Sequence, residues 1–481
     1  MYNSQLTILN AQFALLGLLL PAGLILLAVG SLSGRRPAHS ATLGLGGLAL
    51  AAVAYWAGGF AFHMGGVGLV SDLAGLEGLV WEWASPLNLD WGVLGLRGFL
   101  LLDEASTPAA MALFLAYLPS LATAVIVPLL SLRERMPGWM AALGGLTVAT
   151  LVYPAAANWF SGGGWLMHTG DTLGLGHGYV DLTGLSSAAV VGGVAALLGI
   201  LLFGRRLPPL PADEVATLPT VHLPVIAVVG AVLVIAGGIG ITWANPLLLD
   251  AGLATPRAGV NLVLAAAAGA LVPAVYTWFV AGSAHSLAVA RGAAAGVLAC
   301  AAGLALMPAW SAVALGAAAG LLVPLTTFVV AHVLRVDDPT GAVPVALVGG
   351  VLGVLAPGVF ADGQAGAGWH GLGLESYLGI AGQGVTGFFP APGLAPDWPG
   401  QVNAQLLGLA AIAALTVALV GILFLLLRVL LLFWHVAPAT APEEVTSAGS
   451  GELFQVIDHA RDDVEPTLPE GGRGDVDPGF G

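Results

Sequence analysis

The sequence predicts an all-α polytopic membrane protein of eleven transmembrane helices, a five-plus-five inverted repeat with one further helix, N-terminus outside and C-terminus inside. Three observations carry this prediction. Of 481 residues, 58% are hydrophobic and only 8% charged, with a mean hydropathy of +0.93, a composition foreign to a soluble globule. Apolar stretches long enough to cross a hydrocarbon core of about 30 Å recur along the chain. Arginines alternate between successive connections, which is the signature of a fixed orientation in a membrane.

The apolar stretches fall near 8–32, 40–63, 108–131, 138–160, 182–204, 221–243, 258–281, 286–307, 310–334, 341–360 and 403–434. The N-terminus MYNSQLTILNAQF has no basic region, so the first stretch is expected to be retained. The connections after the odd-numbered helices carry Arg35, Arg36, Arg133, Arg135, Arg205, Arg206, Arg291 and Arg335, against Arg97 and Arg257 in the others. Positive charge stays in the cytoplasm, which places the N-terminus outside and the C-terminus inside. The segment 64–107 then lies outside, with Trp81, Trp83 and Trp91 as interfacial anchors and Asp103 and Glu104 at headgroup level.

An odd helix count suggests two inverted halves plus one helix, an arrangement that builds sites at the midplane between halves. The small-residue runs VVGGVAALLG at 190–199 and LVGGVLGVLAPG at 347–358 recur in the two halves. Their glycines let backbones approach closely and need no cofactor to explain them. No Walker loop and no metal-spaced histidine cluster appears, and nothing points to nucleic acid, a cofactor or an enzyme. The single cysteine, Cys300, reads as a packing residue in an apolar run.

The stretch 179–206 places one carboxylate, Asp181, at the lip of a helix with no charge from Leu182 to Gly204. Such a carboxylate is either a helix cap on the positive end of the dipole or a functional group in the membrane. Asp337, Asp338 and Pro339 read as structural, capping the start of the tenth helix. His332 is expected to meet a local carbonyl or Asp337. His168, Asp171 and His177, in the connection before Asp181, are either solvated loop residues or a vestibule, and Trp165 and Trp243 are either interfacial aromatics or a cation–π face.

Five segments in order then resemble the Amt/Rh ammonium transporters over roughly residues 10–435. These are YPAAANWFSGGGWL at 153–166, VDLTGL at 180–185 followed by GRR, VHLP at 221–224, AGVNL at 258–262, and LRVDDP at 334–339 followed by VGGVLGVLAPGVFA at 348–361. The resemblance implies a homotrimer in a cell membrane, each subunit having its own narrow pore for ammonium or ammonia. It also implies an outer cation–π recruitment site, a gate of two phenylalanines, twin pore histidines, and an aspartate that stabilises the cation.

Carried over residue by residue, the aspartate is Asp181, whereas the pore histidines fall at Ala189 and Ala346. The gate falls at Ser120 and Ile241, a nearby glutamine at Tyr117, the recruiting serine near Asn245 and the recruiting tryptophan at Ser161. An imidazole suits proton relay because its pKa lies near neutrality; Ala189 and Ala346 cannot relay a proton, and an apolar lining presents a desolvation penalty to ammonium. The expectation is therefore an Amt-type channel with an altered pore. The alternatives are a conduit for another small neutral solute, or a non-conducting receptor or structural subunit.

The transmembrane domain is expected to end near residue 435, and the remainder, 436–481, to be an acidic, largely disordered tail. Ten of the 27 acidic residues lie beyond Pro442, so the net charge of −14 says little about the substrate. In the family this region meets a PII-type signalling protein; here PEE at 442–444 echoes it, the pattern after it departs, and GELFQVIDHARD at 451–462 has the spacing of a short amphipathic helix.

Overall fold

The computed structural model describes residues 4–32, 37–80, 92–133, 135–204, 222–336 and 338–433. The tail 436–481, the anchors Trp81, Trp83 and Trp91, Arg35, Arg36, Arg205, Arg206 and Asp337 lie outside the described residues.

Among the described residues, ten helices are long and apolar enough to cross a membrane. They are α1 Asn10–Gly30, α2 Pro37–Leu69, α3 Pro108–Leu132, α4 Gly138–Ser161, α5 Leu185–Phe203, α6 Leu223–Ala244, α7 Pro256–Ala281, α9 Ala309–Val333, α10 Ala342–Phe360 and α11 Gly400–Leu431. The eighth apolar stretch differs from expectation. It is helical only over α8 Ser286–Cys300, 15 residues, or about 22 Å at 1.5 Å per residue, and residues 301–306 turn. A two-stranded hairpin, β1 Ser376–Tyr377 with β2 Ile380–Ala381, lies between α10 and α11.

Local chemistry sets the helix starts. Pro108 stands in the first turn of α3, where its missing N–H costs nothing, and the Thr107 hydroxyl accepts from Ala110 N at 3.2 Å. Helix α3 has 89% of its most apolar window buried and forms the centre of the first half. In α11 that share is 22%, so most of its apolar surface is left uncovered by the rest of the chain.

Neighbour relations recur between α1–α5 and α6–α10. Helix α1 lies along α6; α3 meets α5 as α8 meets α10; α2 meets α3 as α7 meets α8; and α5 crosses α10. At that crossing the two small-residue runs face each other. A Cβ at Gly350 would stand 2.8 Å from Val190 N, and one at Gly353 would collide with the Ser186 hydroxyl and Leu298 O. Only glycine permits this approach.

Among the described residues, the connections that hold Arg133, Arg135 and Arg291 lie on one face. Arg133 donates to Ser40, Arg135 to the Gly204 carbonyl and Arg291 to Pro339 O at 3.2 Å, while Ser131 and Thr340 hydroxyls lie 3.4 Å apart. The described ends of α3 and α5 and the starts of α2 and α10 are thus joined by hydrogen bonds. Arg257 is elsewhere, paired with Asp362 and donating to Met307 O.

Candidate functional site

Segment 177–184 is pinned before it enters α5. Two fully buried glutamines of α11 clamp it: Gln401 accepts from His177 N and donates to Gly178 O, and Gln405 accepts from Val180 N and donates to Val180 O. Asp181, 4% exposed, then turns into the helix mouth. Its Oδ1 accepts from Gly184 N at 2.9 Å; its Oδ2 accepts from Ser187 N at 2.8 Å and Ser187 Oγ at 2.7 Å. Burial raises this carboxyl above its usual range, against the hydrogen bonds from Ser187 and Gly184 that favour the charged form. Asp181 is thus a cap, and also a carboxylate held at the apex of an apolar helix.

The mouth positions of the resemblance converge on a residue that sequence reading passed over. His63 of α2 is fully buried, with Nδ1 2.8 Å from Tyr55 OH and Nε2 2.8 Å from Ser161 Oγ. Ser161 donates its own proton to Ala157 O at 2.8 Å, so the imidazole carries its hydrogen on Nε2 and accepts from Tyr55 on Nδ1. The Tyr117 ring meets His63 edge-on at 4.7 Å, and its hydroxyl accepts from Asn245 Nδ2 at 3.1 Å. Ser161, Tyr117 and Asn245, placed by resemblance at the mouth, therefore share one polar cluster around His63. The signal was present: His63 interrupts a helix, 37–69, that has no charged residue.

This cluster adjoins the Asp181 turn. Ser120 donates to Thr183 O at 3.0 Å and Tyr153 to Gly184 O at 3.3 Å, while the Tyr153 ring lies 6.0 Å from His63. Histidine and tyrosine rings thus lie beside Ser161 and Ser120, where the resemblance implies larger aromatics.

Further in, Ser120 and Ala189 are 0% exposed, Ala346 1% and Ile241 2%, so the line they trace is closed in this structure. Ala346 borders a cavity of about 20 Å³ lined mainly by apolar groups, among them Leu27, Ile126 and Leu298, with Thr340 at its edge. That is room for about one water. A second cavity of about 10 Å³ shares Leu130 and Thr340 and reaches Arg133 and Arg135 on the arginine-rich face.

Both half-sites begin with the same motif, which sequence reading also missed. Asp181-Leu182-Thr183-Gly184 precedes α5, and Asp338-Pro339-Thr340-Gly341 precedes α10. In each, glycine is left-handed (φ 67° and 62°), and the threonine hydroxyl accepts from the N–H two residues on, at 3.3 and 3.2 Å. Each aspartate caps the new helix, Asp338 through Val343 N at 2.9 Å.

The remaining candidates have other partners. Trp243 donates to Thr255 O at 3.1 Å and meets Phe13 edge-on at 5.3 Å, whereas Trp165 lies 5.6 Å from Trp159. His332 lies 3.2 Å from the Phe328 carbonyl, and Cys300 is buried. Asp171 is exposed, but His177 is fully buried and is not a solvated loop residue; the Gln401 clamp draws its backbone inward.

Comparison with known proteins gives the family. Residues 8–438 match the model of the Ammonium Transporter Family. The chain is 31% identical over 287 residues to ammonium transporter Amt2 of Archaeoglobus fulgidus, covering 59% of this chain and 61% of that one. It is 24% identical over 302 residues to an ammonium transporter of Aquifex aeolicus, covering 62% and 60%. The matched region thus spans about three fifths of these relatives' length. Among solved structures, the fold resembles Candida albicans Mep2, with a TM-score of 0.66 at 20% identity over 96% of this chain and 92% of that one. It likewise resembles a Sensor Amt Protein, at 0.67 and 20% over 89% and 95%. The family match over nearly the whole described chain, on a fold of apolar helices gathered around Asp181, makes this multi-pass membrane protein a member of the ammonium transporter family.

Proposed function

We propose that the chain carries ammonium or ammonia across the plasma membrane through a pore altered at its mouth and its middle. The observation that carries this reading is Asp181: a buried carboxylate with three donors, at the head of apolar α5, beside the His63 cluster. A buried carboxylate stabilises a cation at the mouth. Past it, Ala189, Ile241 and Ala346 offer no polar group, so the species that continues is neutral ammonia; ammonium gives its proton to a polar group at the mouth, which returns it to the solution on the entry side before the next ammonium binds. Eleven crossings, counting α8 with its following turn, an external N-terminus and a homotrimeric assembly complete the reading.

A conduit for another small neutral solute is favoured by the mainly apolar cavity at Ala346, and a non-conducting receptor or structural subunit by closure at Ser120, Ala189 and Ile241. Proteoliposome measurements separate the three. Ammonium-driven pH change without current supports the ammonia reading, flux of an uncharged solute alone supports the second, and flux equal to empty liposomes for both supports the third.

A further inference from the structure

Tyr179 has no part in the account above, yet it is fully buried and stands two residues before Asp181. Its hydroxyl lies 2.9 Å from Ser187 Oγ and has no other hydrogen-bond partner among the described residues. Ser187 has one hydroxyl hydrogen, which it donates to Asp181 Oδ2 at 2.7 Å. Tyr179 is therefore the donor to Ser187, and the three side chains form one directed chain that ends on the carboxylate. Hydrogen bonds in such a chain polarise and strengthen one another.

The fold gives the Tyr179 ring a slot of its own. A Cβ at Gly408 of α11 would collide with it, so glycine there is what admits the ring against that helix. Phe160 of α4 meets the ring at 5.6 Å, and Tyr179 N donates to Leu166 O at 3.0 Å. The hydroxyl is thus held where it can reach Ser187 and little else.

The direction of the chain depends on the charge of Asp181. An ionised carboxylate only accepts, which suits Ser187 Oγ, Ser187 N and Gly184 N as donors. A protonated carboxyl has to donate. With the links kept, a hydrogen on Oδ2 would turn Ser187 round to donate to Tyr179, whose own hydrogen would then have no acceptor among the described residues. Tyr179 thus opposes the protonation that burial of Asp181 favours. The other titratable groups facing Asp181 are Tyr117 of α3 and Tyr153 of α4, with His63 of α2 behind them. Among the described residues, the turn after α8 brings the carbonyls of Ala301 and Ala302, α10 that of Val354, and α11 the Gln405 amide, all neutral. Phenols titrate at about pH 10 in water, well above carboxyls, so Tyr117, Tyr153 and Tyr179 do not change charge where Asp181 does.

We propose that Tyr179, acting through Ser187, is a positioning residue that holds Asp181 ionised at the mouth. The use of that charge for a cation rests on the ammonium reading; the hold on the carboxylate does not.

The test is an infrared titration of the full chain in nanodiscs from pH 8 to pH 3. It follows the carbonyl band of the protonated Asp181 carboxyl, identified as the band that Asp181→Asn lacks. Tyr179→Phe keeps the ring in its slot and removes only the hydroxyl. Its midpoint should lie about one pH unit above wild type, the worth of one hydrogen bond. Ser187→Ala should raise the midpoint at least as far, and adding Tyr179→Phe to it should raise it no further. Should Tyr179→Phe fail to fold, 3-fluorotyrosine in place of Tyr179, a stronger donor of nearly the same shape, should lower the midpoint instead. An unchanged midpoint in Tyr179→Phe or with the fluorinated ring overturns the proposal. So does an equal rise with Ser187 present and absent, the mark of lost solvation rather than of a chain through Ser187. Titration and transport are read separately: a wild type without flux but with the shifted midpoints keeps the role of Tyr179 and removes the transport reading, and flux with equal midpoints does the reverse.

Discussion

His63 Nε2 stands 2.8 Å from the Ser161 hydroxyl, at the position where the family resemblance implies a tryptophan. The imidazole donates there and accepts from Tyr55, so the cluster has a single defined tautomer. In His63→Phe, Tyr55 loses its acceptor and Ser161 its donor inside a water-poor core. The expected cost is about 1–3 kcal/mol, read as a lowered melting temperature, together with at least a tenfold loss of flux. A variant that melts and conducts like wild type would remove His63 from the mouth.

Asp181 serves two amides and a hydroxyl at once. Asp181→Ala leaves Gly184 N and Ser187 N buried without their acceptor, a cost of about 1–3 kcal/mol. Asp181→Asn keeps one acceptor oxygen and should melt between alanine and wild type. If both variants melt like wild type, the carboxylate does not hold the head of α5.

The α5–α10 crossing depends on absent side chains. Gly353→Ala puts a methyl group against Leu298 O and Ser186, and Gly350→Ala puts one near Val190 N. Each should destabilise by about 1–3 kcal/mol through overpacking. Ala189→His with Ala346→His should not restore a relay, because Ala189 is fully buried and Ala346 borders room for about one water; melting of this double variant well below wild type is the expected outcome.

His177 and His370 give the fold a pH dependence of known sign. With His177 held near 4 against its ordinary 6.5, the unfolded chain binds more protons below pH 6.5. Stability therefore falls as pH drops from 6.5 towards 4, at up to about 1.4 kcal/mol per pH unit. His370, near His168 and His177, acts in the same sense. Asp397, raised mainly by burial, acts in the opposite sense, its folded form taking a proton first. Melting curves from pH 7 to 4.5 should show the loss, and His177→Leu should flatten it; an identical slope in the variant would contradict the assignment.

Membrane class and most helix positions were legible because apolar length acts locally along the chain. The glycine runs were legible too, although their mutual contact was not. His63 was not found because its partners, Tyr55 and Ser161, come from two helices, and periodicity carries no information about which helices meet. The recurrence of Asp-x-Thr-Gly before α5 and α10 could have been read directly, since the motif is short and sits at matching places in the two halves. The short α8 was missed because apolar composition continues through residues 301–306, where the backbone turns.

Asp181 is the residue on which the transport reading depends most, and flux tests it directly. Purified wild type and Asp181→Ala, reconstituted side by side, should show ammonium-driven pH change well above empty liposomes for wild type and at least tenfold less for the variant. Wild-type flux no greater than that of empty liposomes, or equal flux in the two proteins, would contradict the account.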